Sequence, residues 1–159
     1  MTTWERFSVV TAADARFYAF ELDLRYHATE EEGHHLYIDL LMEQTRATNE
    51  SFGTNLPPIS TRRVSTRMEY SLGKWIFGWE GSLHEAASHL APYELPTDRY
   101  FMWGADVNCR LRESARGTVD VFWVGSNLSD EEGRPHGFYL KDLTPVPGRS
   151  VKVGLRMRW

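Results

Sequence analysis

Cysteine is almost missing from this 159-residue chain. Cys109 stands alone, so no disulfide can form within the chain and a four-cysteine zinc site is excluded. Lysine is nearly as scarce, Lys74, Lys141 and Lys152 being the only ones, and the net charge of -4 lacks the basic excess that a general nucleic-acid partner needs. No apolar run reaches the length of a membrane-spanning helix. The start, Met1-Thr2-Thr3-Trp4-Glu5-Arg6, has no cationic segment followed by an apolar one, so the expectation is a cytoplasmic protein with neither a membrane nor a nucleic acid as partner. P-loop, dinucleotide, Ser-His-Asp and Cys-His patterns are also lacking, and no cofactor is implied.

What the chain has is two-residue alternation, which sends successive side chains to opposite faces of a sheet. Phe20, Leu22, Leu24 and Tyr26 alternate with Glu21, Asp23 and Arg25, and Leu36, Ile38, Leu40 and Met42 alternate with Tyr37, Asp39, Leu41 and Glu43. The pattern returns over Arg63 to Tyr70, Lys74 to Trp79, Trp103 to Arg112 and Val151 to Trp159, with weaker strands near Arg6 to Val10, Gly117 to Val124 and Gly137 to Lys141. Two hairpins follow from parity. A turn at Leu72-Gly73 sets Tyr70 against Trp75, and a loop through Ser114, Ala115 and Arg116 sets Cys109 against Val121, Leu111 against Val119 and Arg110 against Asp120. Ser82-Leu83-His84-Glu85 reads as a capping box that opens a short amphipathic helix through Leu83, Ala86, Ala87 and Leu90, closed by Pro92.

These features predict a single all-β domain over residues 1–159. The expected fold is an antiparallel up-and-down β-barrel of about eight or nine strands with one capping helix, or in the alternative a two-sheet β-sandwich. In the barrel, the inner face would carry Tyr26, Met68, Tyr70, Trp75, Phe77, Trp79, Trp103, Trp123 and Met157. Such a lining suits a hydrophobic small-molecule ligand held at Met68, Trp75, Phe77, Trp79, Trp103, Trp123 and Met157. Tyr26 or Tyr70 could then supply a catalytic hydrogen bond for an isomerisation or cyclisation. Simple filling of a core is the plainer role of the same residues. In fold this looks like the lipocalin-like carriers, which would bind without reaction, and the small β-barrel cyclases of bacterial polyketide pathways. Self-association into a homo-oligomer stays open, as does a sandwich serving only as an assembly module.

Histidines and carboxylates carry less. His27, His34 and His35 lie near Glu30, Glu31 and Glu32, but adjacent histidines on a strand point to opposite faces, so no metal site is expected. Cys109 falls on the apolar face as a core thiol.

Alternation cannot say which face meets water. The last strand, Lys152-Val153-Gly154-Leu155-Arg156-Met157-Arg158-Trp159, resembles the carboxy-terminal strand of bacterial outer-membrane barrels, whose apolar side faces outward. Against that resemblance stand the amino terminus, the helix expected at residues 82–90 and the shortness of the strand expected from Lys74 to Glu80.

Overall fold

The computed structural model describes residues 12–31 and 34–159, so the strand expected near Arg6 to Val10 lies outside the described residues. Eight strands follow one another: β1 (Ala15–Glu31), β2 (His34–Asn49), β3 (Thr54–Asn55), β4 (Arg63–Leu72), β5 (Trp75–His84), β6 (Tyr100–Ser114), β7 (Gly117–Ser126) and β8 (Ser150–Arg158). They form one antiparallel sheet in the order β1-β2-β4-β5-β6-β7-β8, with the short β3 on β2. The chain is therefore an all-β meander. Among the described residues no helix is long and apolar enough to cross a membrane, which has no bearing on strands.

The sheet is open, contrary to the expected closed barrel, and among the described residues there is no second sheet to make a sandwich. Strand direction supplies a reason. Each long strand is antiparallel to the next along the path from β1 to β8, so the two edge strands run the same way. Joining them directly would require a parallel pair in an otherwise antiparallel sheet.

The capping helix is also corrected. Ser82, Leu83 and His84 continue β5 opposite Ser65, Val64 and Arg63 on one side and Met102, Phe101 and Tyr100 on the other. Two ladders of backbone hydrogen bonds outcompete one capping box. Residues 85–99 then form an irregular connection.

Both hairpins keep the expected parity with local changes. The first turns through Gly73 and Lys74, pairing Leu72 with Trp75 and Tyr70 with Phe77, two residues from the expected register. Gly73 takes φ 55°, the left-handed region that a glycine enters at little cost. In the second, Cys109 faces Val121 and Arg110 faces Asp120 as expected. Leu111, however, falls in a bulge and Arg112 takes the place opposite Val119.

Connections differ by end. Gly73-Lys74 and Ala115-Arg116 are tight, and β1 and β2 are separated by two residues, all at one end of the sheet. The other end carries residues 50–62, 85–99 and 127–149. The longest is held by its own polar groups: the Asn127 amide donates to the carbonyls of Glu131 and Pro147 at 2.9 Å each, and Asp130 accepts from the Arg149 amide at 2.9 Å. That amide, with the Arg149 charge, holds the Asp130 carboxyl below its ordinary range. Asn127 and Asp130 both adopt positive φ, which their side chains tolerate better than most.

On the sheet's polar side Gly78 stands opposite Asp106, whose carboxylate lies where a Cβ on Gly78 would be. Gly78→Ala is therefore expected to displace Asp106 and destabilise the fold by about 1–3 kcal/mol. Chemical denaturation that finds no loss would contradict this placement.

Candidate functional site

Residues directly opposite on paired strands point to the same side. Following the register from strand to strand therefore assigns every side chain to one of two faces. Leu22, Leu24 and Tyr26 stand beside Met42, Leu40 and Ile38, which stand beside Val64, Thr66 and Met68. The same side continues through Trp75, Phe77 and Trp79, then Ala105, Val107 and Cys109, then Val121 and Trp123, and ends on Val153 and Leu155. Through the middle of the sheet the parity holds, so these apolar residues share one face. The register shifts by one residue between His27 and Thr29 and between Arg110 and Arg112, toward the end with the tight turns, and Ile76, Met102, Phe122 and Val124 fall on the opposite side.

Among the described residues no second layer covers that face. Among the described residues the buried apolar side chains are Ala47, Ala91, Tyr100 and Cys109, a very small set for a sheet of this size. Tyr26 is 64% exposed, Trp75 39%, Phe77 40% and Met157 58%. Met68 and Trp103 are likewise exposed, while Tyr70, Trp79 and Trp123 are half-buried between their neighbours. All nine residues expected to line an interior thus share one surface, standing side by side rather than facing one another across a cavity. Of the two tyrosines nominated for catalysis, Tyr26 sits on the edge strand β1, and the Tyr70 hydroxyl is engaged at 2.8 Å by Nδ1 of His34. Cys109 is buried on this face between Trp75 and Val121, as an inert thiol would be.

The opposite face is ionic. Arg25 pairs with Asp39 at 2.6 Å, Arg63 with Glu43 at 3.0 Å and Arg110 with the buried Asp120 at 3.2 Å. Arg67 is the hub. It reaches from β4 over Gly78 to Asp106 on β6 at 3.0 Å and also approaches Glu69 at 3.6 Å and Glu80 at 3.7 Å. A recess of about 530 Å³ lies beside this hub, bordered by Asp39, Ser65, Glu80, Ser82 and Asn127, with Val146 to Gly148 at its rim. Trp103 also borders it. This hub was not singled out in the sequence. The signal was there, since Gly78 and Gly104 interrupt the polar side of neighbouring strands and leave room for long side chains to reach past them.

His34 and His35 do go to opposite faces, opposite Leu72 and Ser71 on β4. The His27 ring meets Tyr37 edge-on at 4.6 Å, and His35 stacks on the same tyrosine at 6.4 Å. Among the described residues no cluster of histidine, cysteine and carboxylate groups is arranged to hold a metal.

Removing the hub should matter more than removing an isolated pair. Arg67→Gln leaves three carboxylates around an uncharged amide. The site is over a third exposed, so solvent screening limits the cost to about 1 kcal/mol. Arg25→Gln removes a single pair whose guanidinium is largely in water and should leave the denaturation midpoint unchanged, and equal effects of the two substitutions would show that Arg67 is no hub. Compared with known proteins, the sequence matches no family model and no curated protein.

Proposed function

We propose that this sheet is a stretch of transmembrane β-barrel wall, with its aromatic face turned to lipid and its ion-paired face turned to an aqueous interior. The observation that carries the reading is a broad apolar face, much of it exposed, set opposite the face that holds the cross-strand ion pairs. A protein dissolved in water would have to shield such a face, because exposed apolar patches beyond a few hundred Å² drive association.

Dimensions support the reading. The apolar run from Val64 to Leu72 on β4, matched by Trp75 to Leu83 on β5, rises about 3.4 Å per residue. At a tilt of about 40° it stands roughly 20 Å along the axis, close to the apolar band of about 25 Å in outer-membrane barrels. Beyond that band the same side of β2 turns polar at Gln44, Arg46 and Thr48. Aromatic residues stand at both limits, Tyr70 and Trp75 near the tight turns and Tyr18 and Phe101 near the long connections, with Phe77, Trp79 and Trp123 between them. Aromatic girdles, short turns at one end and long connections at the other are features of this class of barrel.

Two of the features that weighed against the resemblance of the last strand also take another form. Residues 82–84 are strand rather than helix, and β5 runs ten residues, from Trp75 to His84, long enough for a tilted span. An open sheet with two unpaired edges fits a wall that further strands complete.

Reconstitution tests this. The chain should require detergent or lipid to stay dispersed, and its tryptophan fluorescence should be quenched by brominated acyl chains in vesicles. If the chain stays monodisperse in buffer and a hydrophobic small molecule raises its Tm, the aromatic face encloses a ligand instead. The carrier or cyclase reading would then replace this one.

A further inference from the structure

The buried polar groups of this chain gather at the end with the long connections. Thr97, His136 and Lys141 are each nearly inaccessible, and the Glu94 carboxylate is 6% exposed. Glu94 and Thr97 belong to the connection between β5 and β6, His136 and Lys141 to the one between β7 and β8. Nε2 of His136 lies 3.2 Å from Oε1 of Glu94, outside hydrogen-bond alignment, and Nδ1 lies 3.2 Å from the Thr97 hydroxyl. The other Glu94 oxygen accepts the Ala91 amide at 2.9 Å. The Lys141 ammonium donates to the Leu95 carbonyl, tying the same two segments a second time.

We propose that Glu94, Thr97, His136 and Lys141 form an acid-released latch that holds the two long connections together over one end of the sheet. Charge and burial give the direction. With His136 neutral, the buried cluster holds one carboxylate, Glu94, and one ammonium, Lys141. Protonating His136 adds a second buried cation beside that ammonium, and an uncompensated charge out of water is costly.

The surrounding groups do not reverse this. Asp142 lies 3.5 Å from Lys141 but is half in water, so its field is screened. Arg46, Arg62, Glu85 and His89 border the adjoining recess with His136, and Arg62 and Glu85 are paired with each other at 3.1 Å. Burial accordingly holds the His136 imidazole below its ordinary pKa in spite of the attraction of Glu94. The opened connections would bind the proton at the ordinary value near 6.5. The latch is therefore fully closed above that pH and loosens as pH falls below it toward the depressed value. Over that window one-proton linkage raises the opening equilibrium about tenfold per pH unit.

The latch lies in the connections and is independent of what the apolar face contacts. Amide hydrogen exchange read by mass spectrometry tests it on the intact chain, in detergent micelles or in buffer if the chain stays dispersed there. Rates at pH 7.5 and pH 5.5 are corrected for intrinsic chemistry. Residues 85–99 and 133–146 should lose protection together at the lower pH, by up to about tenfold, while β4 to β6 keep theirs. His136→Gln should remove that dependence, and Lys141→Met, which takes away a cation that helps depress His136, should weaken it. Unchanged protection in the wild type, the same loss in His136→Gln, or independent opening of the two segments would each overturn the latch.

Discussion

Everything in this structure depends on a backbone ladder whose side-chain parity is kept from β1 to β8. A slip of one residue at any pairing would send a strand's apolar set to the opposite side. Because the two one-residue slips, between His27 and Thr29 and between Arg110 and Arg112, lie toward the end with the tight turns, Phe20 on the first strand and Leu155 on the last still share a surface. The bulge at Leu111 falls outside the run from Phe101 to Cys109 and leaves that surface whole. With no second layer over it among the described residues, its exposed side chains forgo part of the roughly 1.5–3 kcal/mol that full burial of a Leu or Phe yields in a soluble core. A lipid environment would take the place of that missing layer.

On the proposed reading the polar face is the inner side of the wall. Its charges are matched across strands: Arg25 with Asp39, Arg63 with Glu43, Arg110 with Asp120, and Arg67 with three carboxylates. Such matching suits a surface that faces water in a confined space, where unpaired charges of one sign would repel. At the end with the long connections, packing takes over from pairing. Ala91, Thr97, Tyr100, His136 and Lys141 are among the few buried side chains, so the connections are a packed part of the molecule rather than loose tethers.

Much of the fold was legible in the sequence, and what was not has physical causes. Two-residue periodicity located the long strands. Parity paired Cys109 with Val121 and Arg110 with Asp120, because a wrong register would have mixed the faces. Ser82 to Glu85 misled because a capping box is a local signal, whereas His84 is claimed by partners on both sides, Arg63 and Tyr100, that lie far away in sequence. The first hairpin shifted by two residues because parity cannot distinguish Leu72-Gly73 from Gly73-Lys74. The nine aromatic and methionine residues were correctly grouped on one face. Whether that face turns inward or outward was undecidable, since alternation reads identically from either side. The contacts of Glu94 with His136 join two irregular segments and have no periodic signature at all.

Accessibility along β8 tests the sidedness most directly. Spin labels placed singly at residues 151 to 158, in the chain reconstituted into bilayers, would be probed with oxygen, which concentrates in lipid, and with a water-soluble nickel complex. Positions 151, 153, 155 and 157 should respond to oxygen, and 152, 156 and 158 to nickel, in strict alternation. The reverse assignment, or odd positions shielded from both reagents, would contradict an apolar face that looks outward into lipid.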